Sequence, residues 1–485
     1  MHTIGHKDSP KSSFRARAKV AAITFIVSFA VELWIALPQW TQTLFYGLPA
    51  TASIRKLLPV LGISDAGSYL NAAVDLQDGS ISVAHQWILN LWPPGMPVLL
   101  ATMVKLGHGA SPILPMVFVI CILWSVVLSI LAVMLIPRRG FITLGVFAVF
   151  WVVSPIFVGW TIHGGVLGSD GLATALGALV ALGMIWASQA PPAKRPRWLL
   201  FIGLGAGLAG LAYLRIMWFY AVPAALVILA FVVLARVSVL CLRGRKSTIA
   251  KDRRGFAEWG ALCAVFLLLC APWTIYVGQV LHPGSYSWSQ GDYQWAQLWM
   301  SDDYLESIGG GFLEAGGGNW PCDLDPQKCR ELSIEEFATA TPYGGAAPNT
   351  FAMFERDAFA VALTHPGEFL VDRSEVTVRT WLSAPGTTVG TFDNVGFGIV
   401  TLLCFIGSLV ILAIASLRRR AGALMILLLL GANIAIIWLT HFETRYVVPL
   451  QAISLVVVVL WIATFEANLW RRLFARYKSR SSQTS

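Results

Sequence analysis

The sequence predicts an all-α polytopic membrane protein of about ten transmembrane helices, with interfacial helices on the outer face and one large extracytoplasmic loop. Composition carries the first part of this reading. Of 485 residues, 56% are hydrophobic and only 13% are charged, and the mean hydropathy is +0.67, whereas a soluble domain carries roughly 25% charged residues. The second observation is how the charge is distributed. The stretch 281–395 holds 16 Asp+Glu against 5 Lys+Arg, while the remainder holds 10 against 30. The net charge of +9 therefore does not describe a basic patch for nucleic acid. It describes basic residues sorted by membrane side. The 20 Trp fit the aromatic belts found at membrane interfaces.

In chain order, residues 1–19 are polar and basic (Lys7, Lys11, Arg15, Arg17, Lys19) and precede an apolar segment at 20–40. That segment is long enough to span and lacks a clear small-residue cleavage site, so it reads as a signal anchor with a cytoplasmic N-terminus. Glu32 lies inside it. A carboxyl group is expensive in lipid and is expected to face the bundle. The apolar run 95–106 is too short to cross a core of about 30 Å and reads as a re-entrant or interfacial helix. Further spans are expected at 113–136, 141–159, 168–188, 198–214, 217–236, 257–280, 396–416, 421–440 and 446–466.

The positive-inside rule checks this arrangement. With 95–106 kept outside, the connections bearing Arg138 and Arg139, then Lys194, Arg195 and Arg197, the loop 236–254, Arg418 to Arg420 and both termini all fall in the cytoplasm. These hold 25 of the 30 basic residues outside the acidic loop. A crossing at 95–106 would move Arg138, Arg139 and every later cluster to the other side. The expected organisation is then an N-terminal transmembrane core at 1–280 with a first outer loop at 41–112, an acidic extracytoplasmic subdomain at 281–395, and C-terminal helices with a basic tail at 396–485. Its expected location is the cell membrane, with both termini cytoplasmic.

Within the acidic loop, 350–382 reads as an amphipathic helix interrupted by Pro366. Cys322 and Cys329 are the two cysteines expected to meet an oxidising compartment, and a disulfide between them is anticipated. No pair of further ligands follows at zinc spacing, and no cofactor is specified; a divalent metal has no support in the residues.

The chemistry is expected on the outer face, where the unusual polar residues collect. The stretch 61–98 brings Asp65 and Tyr69 onto one helical face, then an Ala-rich piece, then Trp92, Pro93, Pro94 and Gly95. Asp65 reads either as a functional carboxylate or as a helix cap behind Ser64. Asp170 opens a span shortly after His163, and capping competes with function there too. Arg215 closes one span and Arg445, between Glu443 and Tyr446, opens another. Basic residues held outside against the trend suit a lipid phosphate. The alternative is that both snorkel or pair with Asp170 and Glu443.

Taken in order, these motifs resemble the C-type membrane glycosyltransferases, in particular the bacterial protein mannosyltransferase and aminoarabinose transferase relatives. The likeness rests on Asp65 followed by Tyr69, the Pro93 and Pro94 re-entry, Ser169 and Asp170 opening a span, and Arg445, Tyr446 and Pro449. Ala66 stands where many members carry a second acid, and Trp92 stands where aminoarabinose transferases tend to carry Lys. The resemblance implies transfer of a sugar from a polyprenyl-phosphate donor to a glycan, lipid or protein acceptor, with inversion. Asp65 would be the base, and Tyr69, His163, Asp170, Arg215, Glu443, Arg445 and Tyr446 would hold the substrates. A flippase or other transporter of lipid-linked sugars is the competing class, with Glu32 its main intramembrane candidate.

The topology is directly testable. Single cysteines near Asp78 or Gly310 of a Cys-free variant are expected to react with an impermeant thiol reagent in intact cells, and those near Arg139 or Arg419 only after lysis. Labelling near Arg139 from outside would make 95–106 a true crossing.

Overall fold

A computed structural model describes residues 10–42, 65–79, 92–135, 141–163, 168–189, 197–242, 246–281, 366–383, 394–417, 421–439 and 444–481, with a few isolated positions between them. Among these the chain is helical and no strand occurs. The helices are α1 (Pro10–Gln42), α2 (Asp65–Gln77), α3 (Gly95–Leu106), α4 (Ile113–Leu135), α5 (Phe141–His163), α6 (Asp170–Gln189) and α7 (Trp198–Leu214). They continue as α8 (Ile216–Leu242), α9 (Lys246–Tyr276), α10 (Pro366–Ser383), α11 (Asn394–Leu417), α12 (Ala421–Leu439) and α13 (Thr444–Ser481). Among the described residues, nine helices are long and apolar enough to cross a membrane. The remaining expected span is α7, whose 17 residues extend about 25 Å.

Backbone groups inside a bilayer have no water to pair with, so long apolar runs close their hydrogen bonds within each helix. What then distinguishes the helices is how much of each is enclosed. In α6 and α13, 72% of the most apolar stretch is buried, against 11% in α1, so these two form the centre and α1 the rim. Rows of exposed Leu, Ile, Val and Phe on α1, α8, α9 and α11 give the bundle an apolar outer surface suited to lipid.

The short helix α3 does not carry the chain across. The ring of Phe29, in the C-terminal half of α1, lies 6.2 Å from that of Phe118, near the start of α4. Ser28 and Glu32 of α1 meet Trp151 and Ser154 of α5 in the same order, so α1 and α5 run parallel, and α4, joined to α5 by only five residues, runs antiparallel to both. The chain therefore leaves α1 and enters α4 at the same end of the bundle, and α2 and α3, between them in the chain, pack on each other. This is the arrangement expected from the charge distribution. Helix α7 does run the length of its neighbour. Its Leu204 meets Gly183 of α6, and its Gly207 and Gly210 meet Val180 and Leu176. A Cβ on Gly207 would fall 2.7 Å from Val180 Cγ2, so the two backbones approach closely enough to require glycine.

Glu32 faces the bundle as expected, at 1% exposure. Two carboxylates that the sequence did not single out pin the opposite end. Glu466 of α13 accepts the N–H groups of Ile142 (3.1 Å) and Thr143 (2.7 Å) and the Thr143 hydroxyl (2.6 Å), capping the described start of α5. Glu258 of α9 accepts the Arg197 N–H at 2.8 Å and pairs with its guanidinium at 3.1 Å, while Arg197 Nη1 donates to Ala187 O at 2.9 Å. One residue thus ties α6, α7 and α9 together.

Of the expected acidic subdomain, α10 is the main described part. Cys322 and Cys329 lie outside the described residues. On α10, Phe369 packs edge-on against Trp438 of α12 at 5.4 Å, and Trp381 reaches Phe405 of α11 at 4.7 Å. The Trp381 indole N–H donates to Thr401 Oγ1 (3.0 Å), which also accepts from Gln451 of α13 (3.1 Å). Arg373, between them on the same face, is fully buried.

The Glu466 cap makes a stability prediction. Removing the carboxylate leaves two N–H groups and a hydroxyl without their acceptor, so Glu466→Ala should lower unfolding free energy by about 1–3 kcal/mol. Glu466→Gln, which keeps one acceptor oxygen, should lose less. Denaturant or thermal unfolding of purified protein in detergent measures both.

Candidate active site at one end of the bundle

The site forms where α7 gives way to α8. Arg215 is the single non-helical residue between them, in extended conformation (φ −140°, ψ 115°). Its N–H still reaches Leu211 O at 2.7 Å and its carbonyl accepts from Trp218 N at 3.1 Å. The side chain is turned into the protein, at 8% exposure. There the guanidinium forms an ion pair with Asp170, the first residue of α6. Asp170 is 4% exposed, and its position in the first turn places the carboxylate where the helix dipole favours negative charge. On its other side, the Arg215 guanidinium carbon lies 4.8 Å from the centroid of the Tyr446 ring on α13. This is within cation–π range.

Three residues that the sequence named separately, Asp170, Arg215 and Tyr446, thus form one cluster. The pairing of Arg215 with Asp170 is the structural alternative that the sequence left open. It does not exhaust the group's chemistry, since a guanidinium presents five N–H donors in a fixed fork. Burying the pair takes two charges out of water, which is tolerable only while each has the other.

The segment between α1 and α4 reaches the same place. Pro94 precedes α3, and Gly95 opens it against the backbone carbonyl of Tyr213, two residues before Arg215. Tyr69 of α2 is 3% exposed and meets Trp92 edge-on at 5.5 Å, so its ring is a packing element that holds α2 on the Pro-rich re-entry. Asp65 is the first described residue of α2, His163 the last of α5, and Arg445 the second of α13. The side chains of these three, and Glu443 entirely, lie outside the described residues. Of the other basic residues expected on the outer face, Lys56 and Lys105 are exposed.

Sequence reasoning named Gly95 without its contact to Tyr213, and missed Trp218 and Arg373. Trp218 is 1% exposed and lines a cavity of about 10 Å³ with Leu211, Gly177 and Ile453. Arg373 carried a signal that could have been read: it repeats at four-residue spacing with Phe369, Thr377 and Trp381, placing it within the buried stripe of α10. Among the described residues, no three His, Cys, Asp or Glu side chains converge as metal ligands.

Searches of protein families, curated proteins and solved structures found no match to this chain.

The contact at Gly95 is tight enough to test. A Cβ there would overlap the Tyr213 backbone, which cannot rotate away as a side chain would. Gly95→Ala should therefore cost about 1–3 kcal/mol, the usual range for overpacking. The same substitution at Gly203, where nothing lies within 4 Å, should be near neutral.

Proposed function

We propose that this chain is a membrane-embedded glycosyltransferase that takes a sugar from a polyprenyl-phosphate donor and passes it to an extracytoplasmic hydroxyl acceptor. The observation that carries this reading is the buried cluster of Arg215, Asp170 and Tyr446 at the bundle end where α2 and α3 also lie. A phosphate leaving group gains negative charge as the glycosidic bond breaks, and a pre-positioned guanidinium in a water-poor site stabilises that charge. Asp170 holds the guanidinium in place, and the Tyr446 ring limits its movement on the other side.

In the reaction, the acceptor oxygen attacks the anomeric carbon from the face opposite the phosphate, and the carbon–phosphate oxygen bond breaks. Asp65 takes the acceptor proton, and the electron pair leaves with the polyprenyl phosphate toward Arg215. A single displacement inverts the anomeric centre. The resemblance to C-type glycosyltransferases supports the order of these motifs. The large apolar exterior supports residence among the lipids that carry such donors. The cell membrane, with both termini cytoplasmic, is the location that the charge distribution favours.

The test uses purified protein, a polyprenyl-phosphate sugar and acceptor fractions. Asp65→Asn should lower transfer by about 10²–10⁴-fold, the usual contribution of a general base, with donor binding retained. Asn caps a helix about as well as Asp, so unchanged transfer would reduce Asp65 to a cap. Arg215→Lys, which keeps the charge but loses the planar fork, should lower turnover at near-normal stability. Sugar that crosses the membrane without becoming joined to acceptor would instead identify a flippase.

A further inference from the structure

We propose that Glu32 is a proton-binding site inside the membrane-spanning bundle: it is a neutral carboxylic acid that donates its proton to Ser154. The inference comes from counting protons. Ser154 Oγ lies 2.6 Å from Glu32 Oε1 and 2.8 Å from Trp151 O, and both atoms are placed to share its hydrogen bonds. The hydroxyl has one proton to give. Trp151 O is a carbonyl and can only accept. In a regular helix it would accept from the N–H four residues later, but that residue is Pro155, which has none. The Ser154 hydroxyl is the donor that satisfies this carbonyl, as Ser commonly does beside a proline in lipid. With its proton committed to Trp151 O, the hydroxyl oxygen is an acceptor toward Glu32, and the proton in the 2.6 Å contact belongs to the carboxyl group.

The charges around the site agree. Glu32 and Ser154 are each 1% exposed. Helix α1 packs against α4 and α5. Helix α4 contains no Lys, Arg, His, Asp or Glu; its titratable group is Cys121. Helix α5 contains no Lys or Arg, and its one His, His163, lies nine residues beyond Ser154. On α1 the nearest basic residue is Lys19, about 20 Å away along the helix. An ionised Glu32 would be a buried charge facing no cation on any of the three helices, which is among the costliest arrangements a protein can hold. Glu32 Oε2 has no hydrogen-bond partner among the described residues, and a carbonyl oxygen of a neutral acid bears this far better than a carboxylate oxygen.

The site is half of a two-rung ladder. One turn earlier on α1, Ser28 Oγ accepts the Trp151 indole N–H at 2.9 Å. The two rungs run in the same direction along both helices and join α1, the least enclosed span, to α5. The proton on Glu32 is thus what lets an acidic residue act as a hydrogen-bond donor in that joint.

Infrared difference spectroscopy of the full-length protein in lipid at neutral pH, wild type against Glu32→Gln, tests this. The expected result is loss of a protonated-carboxyl C=O band in the variant. Loss of carboxylate stretching bands instead would overturn the proposal. Glu32→Gln should also keep wild-type thermal stability, because an amide N–H donates to Ser154 as the acid does. If that variant does not fold, Ser154→Ala supplies the second reading. It removes the acceptor, so the same C=O band should move to the position of a carboxyl group without that bond, and a band that is absent or does not move would overturn the assignment.

Discussion

Because water is excluded from the interior of a bilayer-spanning bundle, each polar group there has to find its partner within the protein, and the described architecture follows from how the buried acids do so. Glu466 takes the opening N–H groups of α5, Glu258 takes Arg197, Asp170 takes Arg215, and Glu32 meets Ser154. Each of these contacts joins two or more helices that are far apart in sequence. The apolar side chains supply contact area that is much the same for many relative placements of the helices. The acids are specific: a shift of one turn along a neighbour would leave a buried charge or carbonyl unsatisfied.

The two ends use this chemistry differently. At the end holding Glu466 and Glu258, the carboxylates accept backbone N–H groups as well as side-chain donors, and the helices are pinned there by short contacts of 2.6–2.8 Å. Ser188 and Met184 of α6 also press on Gly422 there, at the start of α12. At the other end the partners are side chains at a break between helices, and a cap of short helices lies over them.

Much of this was legible in the sequence, for a physical reason. Hydropathy and the sorting of charge depend only on local composition, so they located the spans and kept 95–106 from crossing. The motif residues Asp170, Arg215 and Tyr446 could be placed at one end because each sits at the terminus of a span. Pairing of the arginines with these acids could be anticipated only as an alternative, and the Arg215–Tyr446 contact not at all, since both depend on the rotation of α6, α7 and α13 about their axes. Tyr69 shows the limit: its spacing from Asp65 could be read from the sequence, but its edge-on contact with Trp92 could not. Gly95, Glu466 and Glu258 were illegible for the same reason. A glycine or acid near a helix end is common, and what it touches is decided by a segment from about sixty to more than three hundred residues away.

The Arg215 break also bears on what the cluster can hold. Three helices begin around it: α6 at Asp170, α8 at Ile216 and α13 at Thr444. The N-terminal end of each contributes partial positive charge from its unpaired N–H groups. The C-terminal end of α7 lies at the same break and opposes that of α8, so beside the formally neutral ion pair the uncompensated ends are those of α6 and α13. An anion approaching from the bundle end would meet a guanidinium already desolvated and oriented by Asp170 and Tyr446, and could add to the ion pair without breaking it. The reorganisation that normally opposes charge stabilisation in water would then have been completed during folding, which is the condition under which a single cation contributes most to a departing phosphate.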